Sequence, residues 1–265
     1  MKPFVLFFSL VMILNPLTLL AAEEGSTKKW SRDDAELPLK FGIGIDFFAM
    51  NQPYAIKSLA FSAPGLPLPP VNTSNIDVQN EIRHVDIKLD AWVLPFLNVF
   101  GILGKVDGTT TVDLASAGLP LPISSIDIDI DGNVYGGGAT LAIANERFFG
   151  TLTTALTNTS LKGDYESSLK TISVQPRAGY YKNNYQVWLG GLYLNTDEKH
   201  TGTIPLNLGG PSPIPVTFDV ILDDKQAFSP TLGGSYNFNK HFSLTVEAGF
   251  GDRTPFLANL TYRIK

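Results

Sequence analysis

Apolar and polar residues alternate strictly through six separate stretches of this chain, and no stretch keeps apolar residues at helical spacing over three turns. A period of two is the signature of a half-buried strand, whose successive side chains point to opposite faces. Leu39, Phe41, Ile43, Ile45 and Phe47 alternate with Lys40, Gly42, Gly44 and Asp46. The same pattern runs through Val85–Val93, Ile172–Tyr180, Phe228–Phe238, Phe242–Phe250 and Phe256–Ile264. Less regular strand-like stretches lie near 96–107, 126–144, 148–162 and 185–196, thinned by Gly136-Gly137-Gly138 and Gly190-Gly191. The expected count is ten strands, with twelve left open.

Alternation alone fits a soluble β-sandwich as well as a closed barrel. The connections separate the two. Leu94-Pro95, Asn145-Glu146-Arg147, Lys182-Asn183-Asn184 and Asn239-Lys240 are short, whereas 50–81, 108–125 and 197–225 are long. Short turns on one side and long loops on the other are the habit of transmembrane barrels. Trp92, Phe96, Phe148, Phe149, Tyr180, Tyr181, Tyr185, Phe238, Phe242 and Tyr262 all fall near a short turn or the C-terminus. Folding would bring them to one level, as an interfacial girdle. Charged residues make up only 17% of the chain, below the quarter or so usual in soluble proteins.

The N-terminus fits export. Lys2 precedes an apolar run from Phe4 to Ala22 that ends in Leu20-Ala21-Ala22 before Glu23-Glu24, the layout of a secretory signal. The expected organisation is therefore a signal peptide over 1–22, a periplasmic N-terminal segment over 23–38 and a barrel over 39–265. No second apolar run is long enough for a transmembrane helix, and in lipid the remaining spanning solution is a closed barrel. The expected fold is all-β: a transmembrane antiparallel up-and-down barrel of about ten strands with long extracellular hairpin loops.

The region 39–265 resembles the general class of Gram-negative outer-membrane β-barrel proteins. The resemblance is carried by the C-terminal alternating strand, Phe256, Ala258, Leu260, Tyr262 and Ile264, and by the glycine-rich strand Val134-Tyr135-Gly136-Gly137-Gly138-Ala139-Thr140-Leu141. Such barrels usually end on an aromatic residue, whereas this chain ends Tyr262-Arg263-Ile264-Lys265. The resemblance implies a place in the outer membrane. Its partners there would be outer-membrane lipid, lipopolysaccharide and the barrel-assembly machinery.

The three long loops share a motif. Gly65-Leu66-Pro67-Leu68-Pro69, Gly118-Leu119-Pro120-Leu121-Pro122-Ile123 and Gly210-Pro211-Ser212-Pro213-Ile214-Pro215 each place Pro-x-Pro before a strand that resumes with an apolar-Asp pair. Pro-x-Pro is stiff and extended, and the flanking alternation suggests hairpins that continue beyond the bilayer. The apexes carry Leu66, Leu68, Leu119, Leu121, Ile123 and Ile214, a candidate loop crown. Three readings stay open: the apexes pack on one another and cap the barrel, they form an apolar patch for a partner, lipid or ligand, or the repeat is drift in low-complexity loops.

Candidate chemistry is sparse. Cysteine is absent, which removes thiol catalysis and thiolate metal sites. The net charge of −5 carries no basic stripe, so no nucleic-acid partner is expected. His84 and Asp86 share a strand face with Lys88 and Asp90, which reads as a salt-bridged lumen wall rather than a catalytic set. His200 falls in a loop and His241 beside a turn. Asp127, Asp129 and Asp131 alternate along one strand face; neighbours ~7 Å apart do not converge on one Ca²⁺, so they read as a solvated face. No catalytic, cofactor or metal-binding residues are assigned, and the chain is not expected to be an enzyme.

The polar strand faces put Lys40, Asp46, His84, Asp86, Lys88, Asp90, Arg177, Glu247 and Arg263 in the lumen. Ten strands lie near the eight that side chains nearly fill, far from the 16–18 of open porins. The expected function is a narrow channel or transporter for small solutes. The alternative is a surface-interaction or structural barrel that binds through loops 50–81, 108–125 and 197–225.

Overall fold

The computed structural model describes residues 38–64, 73, 76–114, 125–145, 147–162, 168–206 and 213–264. The expected signal peptide and nearly all of the segment after it lie outside the described residues.

Eleven strands form one antiparallel sheet: β1 Phe41–Ser62, β2 Asp77–Leu94, β3 Leu97–Asp113, β4 Ser125–Ala144, β5 Phe148–Lys162, β6 Ser168–Lys182, β7 Tyr185–Leu206, β8 Ile214–Asp224, β9 Phe228–Asn237, β10 Phe242–Gly249 and β11 Thr254–Ile264. Neighbours in sequence pair as hairpins, except that β8 lies out of order and β7 also pairs with β9. The first strand meets the last, with Phe41 opposite Ile264 and Asn51 opposite Thr254, so the sheet closes. The closed wall contains the ten expected strands, and β8 is additional.

The ladder shows how β8 fits. Residues 41–51 of β1 pair with β11, while 54–62 of β1 pair with β8. Residues 185–193 of β7 pair with β9, while 198–206 pair with β8. Two closed circuits of hydrogen bonding therefore share β1 to β7: one of ten strands through β9, β10 and β11, and one of eight through β8. The stretch 197–225, expected as a loop, is for the most part the end of β7 and the whole of β8. The alternation in Thr217–Leu222 is apolar at every even position, but its proline-rich approach and short length gave it the look of a loop apex. The other two long loops are also shortened from both sides, because β1, β2, β3 and β4 run past the expected strand ends. The end of the barrel that carries β8 is called the collar here, and the opposite end the turn end.

The turn end is tight for identifiable reasons. Asn145 Oδ1 accepts the backbone N–H groups of Arg147 and Phe148, and Asn239 Oδ1 accepts those of His241 and Phe242. Asn183 takes a left-handed conformation (φ 53°) in the β6–β7 turn, where asparagine is tolerated better than most residues.

The wall divides into two outer zones. Nearest the turn end, Phe41, Ile43, Ile45, Phe47, Ile87, Leu89, Leu189, Leu244, Val246 and Leu260 all point outward and are exposed. So large an apolar band in water would be untenable; around a closed barrel it is the lipid-facing surface. A strand of 9–11 residues crosses the bilayer, so β1, at 22 residues, continues well beyond it. There the outer face turns polar: Asp127 accepts from the Thr111 hydroxyl at 2.7 Å and Asp129 from that of Thr109 at 3.3 Å. No helix among the described residues is long and apolar enough to cross a membrane.

The aromatic girdle is present with a correction. Phe96, Phe148, Tyr185, Phe238, Phe242 and Tyr262 are exposed at the turn end. Phe149 and Trp92 instead belong to the inner face: Phe149 packs edge-on to the buried Trp188, and Trp92 lies opposite the buried Asn98. Adjacent residues on a strand point oppositely, so Phe148 and Phe149 cannot both face lipid.

Candidate functional site

The inner face is built from every second residue of each strand, and it too has two zones. On β1 it reads Gly42, Gly44, Asp46, Phe48, Met50, Gln52 and Tyr54; on β2 it reads Val78, Asn80, Ile82, His84, Asp86, Lys88 and Asp90. Towards the collar it is largely apolar. Tyr54, Ile76, Val78, Leu114, Val220 and Leu222 form one buried cluster, joined by Ile56, Leu59 and Val112. Met50, Leu192 and Leu194 form another with Phe48 and Ile82. Strands β1 and β7 are not paired with each other but both flank β8, and the second cluster brings their inner-face residues together near the Asp224 end of β8.

Towards the turn end the inner face is charged. Arg177 of β6 donates to Glu247 of β10, with Nε and the terminal Nη2 each 2.7 Å from Oε2, and Gln175 Nε2 reaches Oε1 at 3.2 Å. Strands β7 and β9 separate the two partners, so this pair is a chord spanning the wall between them. The Arg177 guanidinium also lies 5.6 Å from the centroid of the Trp188 ring. Arg263 of β11 donates to Asp90 of β2 at 2.9 Å across β1, and Asn98 Nδ2 adds a 2.6 Å bond to the same oxygen. His84 Nδ1 is 2.5 Å from Asp86 Oδ2, and its ring stacks on Phe48 at 4.7 Å between centroids. Asn259 donates its amide to Asp46 and accepts the Thr261 hydroxyl at 2.7 Å.

Two of these carboxylates occupy room left by glycine. A methyl group at Gly42 would lie 2.3 Å from Asp90 Oδ2, and one at Gly104 would lie 2.0 Å from Asp86 Oδ1. Neither distance is possible for real atoms, so the acids seat their second oxygens in notches of the neighbouring strand. Trp188 uses the same device, lying flat over Gly233 at 2.5 Å from where a Cβ would be.

Asp46, His84, Asp86, Lys88, Asp90, Arg177, Glu247 and Arg263 occupy inner-face positions of their strands, whereas Lys40 lies outside them, against the outward-facing Phe41. Lys40 precedes β1 and places its ammonium 5.2 Å from the Phe41 ring. Lys88 sits over Phe100 at the same distance. Of the loop-crown residues, Leu66, Leu68, Leu119, Leu121 and Ile123 lie outside the described residues. Ile214 opens β8 opposite Leu206 and is half-buried, so it belongs to a strand rather than to an apex. His200, expected in a loop, lies within β7 opposite Val220, because the strand continues there. His241 is exposed at its turn, with Nδ1 2.8 Å from the Arg263 carbonyl.

Arg253 escaped the sequence reading. It sits in the β10–β11 connection, the point where β10 and β11 end and β8 takes over their place in the wall, and is only 1% exposed. Its Nε donates to Gln52 Oε1 at 2.6 Å, Nη2 to Asp224 at 2.7 Å and Nη1 to the Ala227 carbonyl at 3.1 Å. The Ser229 hydroxyl bonds its own carbonyl at 3.0 Å. It thereby ties β1, the end of β8 and the start of β9 to the β10–β11 turn. Nothing in Asp252-Arg253-Thr254 distinguishes this arginine from a solvated turn residue.

No known sequence family and no curated protein matches the chain. Among solved structures it is similar to an outer membrane channel from Pseudomonas putida F1, at 10% identity and a TM-score of 0.41, covering 88% of this chain and 97% of that one. It is also similar to the translocator domain of the autotransporter NalP from Neisseria meningitidis (10% identity, TM-score 0.37, 88% and 90% covered) and to the CymD monoaromatic hydrocarbon channel (10% identity, TM-score 0.34, 85% and 88% covered).

Proposed function

We propose that this protein is an outer-membrane channel of narrow bore for small solutes with an apolar body, its turn end in the periplasm and its collar outside. One observation carries the reading: the inner face passes from largely apolar at the collar to charged at the turn end, with side-chain contacts between unpaired strands in both zones. A wide aqueous pore would have a solvated wall throughout. Here an apolar solute would find a matching lining first and a polar exit afterwards. The lipid-facing band and the signal-like N-terminus support export to the outer membrane. They also support contact with its lipid and lipopolysaccharide and handling by the barrel-assembly machinery.

Planar-bilayer recording of the purified protein tests this. Small, discrete conductance steps well below those of a general porin are expected. A barrel that never opens under voltage would remove the channel reading and leave the surface-interaction barrel in its place.

A further inference from the structure

We infer that the passage selects anions, so that the solute it carries bears a negative charge on its small apolar body. This inference rests on the channel reading and adds the charge of the solute.

The basis is how the lumen's charges are seated. In three base–acid pairs of the inner face the acid is sunk into the wall and the base is the accessible partner, whereas in a fourth, Arg253–Asp224, both partners are buried. Arg177 is 17% exposed against 2% for Glu247, Arg263 19% against 1% for Asp90, and His84 21% against 2% for Asp86. The second oxygens of Asp86 and Asp90 make no hydrogen bond and lie against the backbone at Gly104 and Gly42 rather than in the open interior. Lys88 completes the pattern. It is half-buried and, among the described residues, has no carboxylate within ion-pair distance; its one polar contact is with the face of Phe100. A ring face attracts the ammonium without cancelling its charge. Its flanking acids, Asp86 and Asp90, are already committed to His84 and to Arg263 with Asn98. The cross-strand neighbour Gly44 has no side chain to cover it.

Asp46 is the exception, half-buried and held by the amide of Asn259. Among the described side chains, the permanent charges that face the passage are therefore Lys88, Arg177 and Arg263 against Asp46. Formal counting along the inner face gives a near balance, but the potential inside a low-dielectric wall follows which charges reach the passage. Basic side chains lining a constriction select anions.

The test uses the full-length protein in planar bilayers under a KCl gradient, together with proteoliposome uptake of two probes of like size and opposite charge, benzenesulfonate and phenyltrimethylammonium. The reversal potential should lie on the chloride side, and benzenesulfonate should enter several-fold faster. Lys88→Gln should reduce both preferences, and Lys88→Glu should reverse them. Cation preference in the wild type, or preferences unmoved by both Lys88 variants, would overturn the inference while the channel stands. Absence of any conductance or uptake would overturn the channel reading and this inference with it.

Discussion

Replacing Arg253 with methionine keeps most of the side-chain volume and removes the charge and three hydrogen bonds. The guanidinium is almost fully buried, and its partner Asp224 is 8% exposed. Solvent therefore cannot take over the lost bonds. Removing one member of a buried, hydrogen-bonded ion pair typically costs about 3–5 kcal/mol, because the other charge is left without its partner. The expected loss is in that range, read as a shift in the urea midpoint of the protein refolded into lipid vesicles and followed by tryptophan fluorescence. Limited proteolysis adds a local readout, since the link from β8 to β9 around Lys225 should become cleavable before the membrane wall opens. A cycle with Asp224→Asn isolates the pair: the double variant should lose less than the sum of the singles, by roughly 1–3 kcal/mol. An Arg253→Met variant within about 1 kcal/mol of the parent and equally resistant to protease would refute the claim that this residue holds the joint.

Other consequences follow from the same geometry. Glu247→Ala strands Arg177 beside Trp188 and should cost about 3–5 kcal/mol in the same unfolding assay, while the double replacement Arg177→Met with Glu247→Leu should recover much of it. Ile45→Arg, in the middle of the lipid-facing run of β1, should destabilise by about 2–4 kcal/mol in vesicles, and a negligible effect there would move the bilayer away from this zone. Asn183→Ala should cost about 1–2 kcal/mol through its left-handed backbone alone, with no change in conductance. Leu222→Ala, in the collar cluster, should lose about 2–5 kcal/mol if that cluster is a packed core.

The membrane wall was legible because alternation in segments such as Val85–Val93 survives translation into three dimensions without knowledge of any partner. Inner and outer faces follow from parity, and that is why Asp46, Asp86, Lys88, Asp90, Arg177, Glu247 and Arg263 could be placed on the inner side of the wall. Parity says nothing about register, and register is where the reading ran out. The notch at Gly42 matters because Asp90 is its cross-strand neighbour, a fact set by the pairing of β1 with β2. The glycines of 136–138 looked like gaps in a strand; in the folded wall a methyl at Gly138 would collide with the Phe100 ring, 2.6 Å away. β8 was hidden for a related reason. Its partners are the outer half of β1 and the end of β7, so its role is to fill space left where three other strands stop. Arg253 depends on the same vacancy. Trp92 and Phe149 sit on the inner face although both lie beside turns, because nearness to a turn fixes depth along the barrel and not side.

The glycine notches also change what counts as a charge mutation. Gly42→Ala adds one methyl group and no charge, yet the methyl would occupy the place of Asp90 Oδ2 and turn that carboxylate out of the wall. The formal charge of the protein would be unchanged while the potential along the passage shifted towards attraction of cations, visible as a displaced reversal potential. In a wall only one strand thick, the absence of a side chain on one strand decides where the charge of the next is felt.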